Sequence, residues 1–277
     1  MVGSIDIAIP VDGEYIKWGR VAAQSAIDGA SLPVRVHYID WGVCDKDKLT
    51  VFGEWHGSSI AWSRLFLAEI LPADVDWVIS SDADMLFRGD IAKLWKLRDD
   101  RYLVMMSRDS MPPWHKCNPE IEKYCKVNGL DAGEVLCSGL ALINLKRWRK
   151  EGWQQKVDAF LAKHGSAQFL DQIALNVVFN CVKRRLPSEW GCFSGDANET
   201  VDYQGDCAIH YVSDPPWRRS KITQLMSDAV VLWRKAAGMS CGGWRRWLYL
   251  LLRGTKSVWR WNNWMNWHYR NALVRHI

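Results

Sequence analysis

Three short apolar runs, Ile5–Ile9, Val34–Ile39 and Trp77–Ser81, are separated by stretches whose apolar residues recur at helical spacing. That alternation narrows the fold more than any other feature of the sequence. Ile5-Asp6-Ile7-Ala8-Ile9 alternates and then meets Pro10, as a strand entering a loop does. Val11-Asp12-Gly13-Glu14 carries turn chemistry, after which Trp18, Val21, Ala22, Ser25 and Ala26 fall on one helical face. A helix through Arg64-Leu65-Phe66-Leu67 is expected to stop at Leu71-Pro72, before the third run begins. Strand–helix–strand alternation with short connections predicts an α/β fold on a mainly parallel central sheet. Ligands bind such sheets beyond the carboxyl ends of the strands, so the loops after Pro10 and Ser81 are where a site is expected.

The chain has 277 residues, of which 48% are hydrophobic and 24% charged, which suits a globular domain with an appendage. It contains no apolar run of 18 residues and no basic, apolar leader, so neither a membrane span nor a secretory signal is expected. A cytoplasmic setting with reduced thiols follows, and the eight cysteines lack the CxxC pairs of zinc sites. Charge is divided unevenly. The last acidic residue is Asp228, and nine Lys and Arg follow it, so the net +5 leaves −4 for residues 1–228. An acidic body with no nucleic-acid-binding motif argues against nucleic acid as the partner. We therefore divide the chain into a globular domain at 1–225 and a basic, Trp-rich tail at 226–277. Within the tail, Trp244, Trp247, Leu248, Leu251 and Leu252 share one helical face, and Trp259, Trp261, Trp264, Met265 and Trp267 follow with Arg260 and Arg270. Tryptophan beside arginine with no acid is the composition of an amphipathic helix lying on an anionic membrane, which predicts peripheral association with the inner face of the plasma membrane. Packing of that helix on the body, or between two copies, is the structural alternative.

The most informative segment is Ser80-Ser81-Asp82-Ala83-Asp84. Two carboxylates one residue apart at the end of an apolar strand repel each other unless a cation lies between them. Hard divalent ions such as Mn²⁺ or Mg²⁺ take oxygen ligands and can bridge to a substrate's phosphates. The bland alternative is a solvated turn. Some phosphotransferases also carry a strand-end DxD whose first Asp is a nucleophile, but on a first strand and with Thr or Val where this chain has Leu86. Further along, Cys137-Ser138-Gly139 leads into the apolar Leu140–Asn144, Asp171 stands where it can cap a helix through Asn176, and Cys207–Val212 is a strand carrying His210.

Taken in order over residues 5–217, these segments resemble glycosyltransferase family 8, whose members are retaining enzymes of the GT-A fold. The resemblance implies a metal-dependent hexosyltransferase that uses a UDP-sugar and Mn²⁺ or Mg²⁺. It places Asp12 and Tyr15 at the nucleobase, with Tyr15 as the stacking ring. Arg64 matches the family's Arg before the DxD and would contact donor phosphate or sugar. Asp82 and Asp84, with Ala83 between them, match the metal-binding DxD, and His210 matches the third metal ligand. Asp171 and Gln172 match the D-Q pair facing the donor sugar, with the catalytic roles. Ser138 and Gly139 match the N-[AS]-G loop. This sequence departs from the pattern at Cys137 for Asn, at Ser213 for Gly and at Pro215 for the Lys that contacts pyrophosphate, with Arg218 or Arg219 nearby as substitutes. The implied acceptor is a saccharide such as a lipopolysaccharide core or another lipid-linked glycan. The departures leave open a catalytically silent relative that binds nucleotide-sugar or scaffolds glycan assembly at the membrane.

Overall fold

The computed structural model describes residues 3–13, 15–54, 58–109, 119–127, 129–130, 134–164, 170–194, 205–211, 217, 228–239, 241, 247 and 251. Ser213, Pro215, Arg218 and Arg219 lie outside the described residues, as does the tail beyond 241 apart from Trp247 and Leu251. The strands are β1 (Ile5–Pro10), β2 (Val34–Ile39), β3 (Trp77–Ser81), β4 (Met85–Arg88), β5 (Val104–Ser107), β6 (Cys137–Asn144), β7 (Lys183–Arg185), β8 (Cys192–Phe193) and β9 (Cys207–His210). The α-helices are α1 (Tyr15–Gly29), α2 (Lys46–Thr50), α3 (Leu67–Ile70), α4 (Ala92–Trp95), α5 (Pro119–Val127), α6 (Leu145–Lys150), α7 (Trp153–His164), α8 (Leu170–Val178) and α9 (Asp228–Ala236). The helix expected through Arg64–Leu67 begins instead as a 3₁₀ helix, Ile60–Phe66, and becomes α-helical only in α3.

Six strands form the central sheet in the order β2-β1-β3-β6-β5-β7. β2, β1 and β3 run parallel, β5 and β7 run parallel, and β6 is antiparallel to both β3 and β5. Five strands therefore share one direction and β6 opposes them, so the mainly parallel expectation becomes a mixed sheet with one reversed strand. The reversal matters for the site. It brings the amino end of β6, with Cys137, Ser138 and Gly139, to the edge where β3 ends.

Side chains alternate across the strands into two cores. Val78, Val104, Met106, Ala141 and Ile143 face a layer that includes Trp148 of α6, Val157 of α7 and Leu175 of α8. Ile5, Ile7, Ile9, Ile79 and Leu142 face the opposite layer with Ala22, Ala23 and Ala26 of α1. A second sheet, β4-β9-β8, returns the chain beside the end of β3 and packs on its own cluster. Trp233 of α9 is fully buried in that cluster against Leu86, Ile209 and Tyr211. α9 thus packs on the second sheet through Trp233. No helix among the described residues is long and apolar enough to cross a membrane.

Two polar clusters fix the frame. Arg149 donates to the carbonyls of Ala68, Leu71, Pro72, Ala73 and Val75, closing the turn between α3 and β3. Its planar fork supplies donors that a lysine ammonium cannot arrange in the same way. Replacement of Arg149 by Ala is expected to lower the unfolding free energy by about 2–4 kcal/mol. Lysine should recover less than half of that loss, as measured by urea unfolding.

Asp6 on β1 faces Arg35 and His37 on the adjacent strand, with Arg35 Nε and His37 Nε2 at 2.5 and 2.7 Å from its Oδ1. Burial alone would raise the Asp6 pKa, but the His37 and Arg35 hydrogen bonds outweigh it and hold the carboxyl below its usual range. The stabilisation is therefore complete above about pH 4 and is lost as pH falls through the lowered folded value. Asp6→Asn should lower the melting temperature at pH 7 and flatten its decline below about pH 4. An unchanged acid slope would contradict this assignment.

Candidate active site

β3 ends at Ser81, and the turn Asp82-Ala83-Asp84 carries the chain into β4. The turn is held from both sides. The Asp82 amide donates to the Gly139 carbonyl at 2.8 Å, and the Tyr211 amide donates to the Asp84 carbonyl at 3.0 Å. The Ala83 methyl is buried in the core, close to where α1 presses in at Gly19. Ala83 thus serves the site as a spacer between two carboxylates and not as a side-chain ligand.

Opposite the turn, β9 pairs antiparallel with β4 and sets His210 across from Met85. His210 Nε2 lies 3.2 Å from Asp84 Oδ1 and 3.5 Å from Asp82 Oδ2. Ligand atoms from Asp82, Asp84 and His210 lie within 4.8 Å of one another. Burial alone would depress the His210 pKa, but Asp84 and Asp82 outweigh it and hold the imidazole well above its usual range. In effect a proton on His210 answers the charge of the carboxylates. An oxygen-rich set with one imidazole fits a hard divalent cation such as Mn²⁺ or Mg²⁺, which would take over that neutralising role.

Arg64 connects this cluster to its neighbours. It is 3% exposed, and its guanidinium donates to Asp82 and, at 2.6 Å, to the Ser138 carbonyl. Its Nε reaches the Ala61 carbonyl and lies 3.1 Å from Asp171 Oδ2. The Asp82 pKa is pushed up by burial but pulled further down by Arg64 and His210, so that carboxylate stays ionised. Burial dominates at Asp171, whose pKa is raised despite Arg64. Asp171, expected as a helix cap, lies in the first turn of α8 with its carboxylate on Arg64 and on the Ser138 hydroxyl at 3.3 Å. Gln172 Oε1 accepts from the Ser138 amide at 3.2 Å.

Gly139 has a specific reason to lack a side chain. A Cβ there would lie 2.2 Å from His210 Cε1 and 2.9 Å from Asp82 Oδ2. The glycine makes room for two members of the cluster.

Arg64, Asp82, Asp84, Ser138, Gly139, Asp171, Gln172 and His210 are thus brought together. Asp12 and Tyr15 lie at the end of β1 and the start of α1. Asp12 accepts from the Ser58 hydroxyl at 2.6 Å, and Tyr15 meets Trp217 edge to face at 5.8 Å. Trp217 also stacks on Trp18 of α1 at 4.9 Å. Ser213 lies outside the described residues.

Sequence reasoning missed Asn176, which is fully buried. Its Oδ1 accepts from the Leu136 amide and its Nδ2 donates to the Leu136 carbonyl, both at 2.8 Å. This amide clamp fixes the approach to Cys137–Gly139. The available signal was the spacing, since Gln172 and Asn176 are four apart on α8 and share a face.

A model of glycosyl transferase family 8 matches residues 43–221. General stress protein A of Bacillus subtilis (strain 168) is 29% identical over 139 residues, covering 49% of this chain and 46% of that protein. Lipopolysaccharide 1,2-glucosyltransferase of Escherichia coli (strain K12) is 23% identical over 179 residues, covering 58% and 50%. The chain spans about half the length of these curated relatives. The crystal structure of galactosyltransferase LgtC in complex with donor and acceptor sugar analogues superposes with a TM-score of 0.67 at 21% identity, covering 84% of this chain and 95% of that one. That likeness establishes a GT-A fold.

Gly139→Ala is expected to lower turnover by about 100-fold or more, because a displacement of about 1 Å at a reacting centre is enough for such a loss. Circular dichroism should still report the native fold. Full activity in a folded Gly139→Ala protein would disprove the crowding argument.

Proposed function

The chain belongs to glycosyltransferase family 8, and on that premise we propose that it moves a hexose, glucose or galactose, from a UDP-sugar to a saccharide acceptor with retention of configuration. The observation that carries the proposal is the convergence of Asp82, Asp84 and His210 beside the linked group of Arg64, Ser138, Asp171 and Gln172. Asp82, Asp84 and His210 would hold Mn²⁺ or Mg²⁺, which when bound supplies positive charge against the leaving diphosphate. Arg64 keeps Asp82 ionised and aimed at that position, and Asp171 is placed to orient donor-sugar hydroxyls. Gln172 is a weak candidate for covalent attack, since its carbonyl oxygen already accepts from the Ser138 amide. Same-face attack by the acceptor hydroxyl, favoured by positioning, fits better. Asp12 and Tyr15 would receive the nucleobase.

The acceptor we propose is a lipopolysaccharide core or another lipid-linked glycan, reached from the inner face of the plasma membrane. Two features support it. The curated relatives include a lipopolysaccharide glucosyltransferase, and nine basic residues follow the last acid, Asp228. Trp247 and Leu251, four residues apart, are 65% and 60% exposed, which favours a membrane-facing surface over packing on the body. We place the catalytic domain through α9 and the membrane-associating tail after it.

The deciding assay is release of UDP from a panel of UDP-sugars with Mn²⁺ and then with EDTA. Release from one sugar that stops with EDTA, and that falls by about 100-fold or more in Asp82→Asn and Asp84→Asn, is the expected result. Binding of UDP-sugar with no release, even with membrane extract as acceptor, would overturn the enzyme and favour a silent, nucleotide-sugar-binding relative.

A further inference from the structure

Cys137 stands where the family resemblance calls for an asparagine, and its sulfur has partners that the proposed chemistry has not used. The residue is 6% exposed at the first position of β6. Its Sγ lies 3.7 Å from His210 Nδ1 and accepts from the Gly139 amide at 3.4 Å. The other ring nitrogen, Nε2, faces Asp84 and Asp82. The remaining edges of the imidazole are also constrained. The Phe193 ring lies over it at 5.4 Å, and Cε1 occupies the space that a side chain at Gly139 would need.

We propose that Cys137 is a positioning residue for His210, its sulfur receiving the Nδ1 hydrogen so that the Nε2 lone pair points at the cation position between Asp82 and Asp84. A neutral imidazole that binds a cation through Nε2 must carry its hydrogen on Nδ1, and a buried N–H needs an acceptor. In metal sites that acceptor is usually a carboxylate, a carbonyl or a water, and it fixes both the tautomer and the ring orientation. Here the sulfur occupies that place. It is on the opposite side of the ring from Nε2, so it acts through the histidine and is not itself a ligand. The cation preference should therefore remain that of the oxygen-rich set, without the bias toward soft ions that a thiolate ligand confers.

The inference rests on Asp82, Asp84 and His210 forming a metal site, and the test separates the two. Binding of Mn²⁺ and of Cd²⁺ in the absence of any sugar would be measured by the loss of free Mn²⁺ signal in electron paramagnetic resonance and by titration calorimetry. The proteins would be the unmodified chain, Asp82→Asn, Cys137→Ala and Cys137→Ser. Cys137→Ala is expected to weaken both ions by the same factor, about 10–100-fold, as loss of an outer partner does. Cys137→Ser, which restores an acceptor, should recover most of the affinity. If the alanine protein does not fold, Cys137→Val against Cys137→Thr makes the same comparison at similar volume. Unchanged Mn²⁺ binding in a folded Cys137→Ala or Cys137→Val protein would overturn the inference and leave the metal site standing. A selective loss of Cd²⁺ would overturn it in favour of sulfur as a direct ligand. Absence of Mn²⁺ binding in the unmodified chain, or equal binding by Asp82→Asn, would remove the metal site and the inference together.

Discussion

The buried guanidinium of Arg64 is the interaction on which the rest of the site depends. An arginine this far from water is tolerable only where anions and carbonyls answer its charge and its hydrogens. It finds Asp82 from the end of β3, Asp171 from α8, and the carbonyls of Ala61 and Ser138. Four separate stretches of chain must therefore meet at one point, and removing either carboxylate would leave the buried charge poorly compensated. Sequence comparison casts Arg64 as a contact for the donor. Its geometry gives it a prior role as the internal counter-ion that sets two carboxylates at fixed separation.

Around that cation the charges do not balance. Among the described residues, Asp82, Asp84 and Asp171 bring three carboxyl groups to Arg64 and the imidazole of His210. The excess of negative charge at a sheet edge is what a divalent ion and a diphosphate together would complete. The raised pKa of His210 and the lowered pKa of Asp82 are two expressions of the same field. Such preorganisation is costly for folding and useful for chemistry, since the groups need not move when charge develops.

The cost is met by rigid surroundings. Asn176 clamps both polar atoms of Leu136, and β6 is hydrogen-bonded on both sides, to β3 and to β5. Arg149 closes the turn that launches β3. On the other flank, Trp18, Trp217 and Trp233 pack together, so Trp217 and α9 are both anchored to α1. Much of the tryptophan that makes this sequence unusual thus has a packing role in the body, while Trp247 remains exposed.

How much of this was legible from the residues differs by feature. The alternation of Ile5–Ile9, Val34–Ile39 and Trp77–Ser81 determined an α/β sheet, because strand and helix periods are local properties of the chain. Asp82-Ala83-Asp84 marked the sheet edge at which Arg64 and His210 converge, because two carboxylates one residue apart repel each other without a cation. The reversed direction of β6 was not legible, since an apolar run reads the same whichever way it enters a sheet, yet that reversal is what carries Ser138 and Gly139 to Asp82. The burial of α9 was equally hidden, because Trp233 in a basic, Trp-rich stretch has the same local signature whether it faces lipid or core. Gly139, Asn176 and Cys137 acquire their meanings only from neighbours 40 to 73 residues away in sequence. The chain by itself determined which residues carry charge and which runs are apolar. Only tertiary packing decided which charges meet, because the contacts that hold the site are made by segments distant in sequence and are encoded in no single one of them.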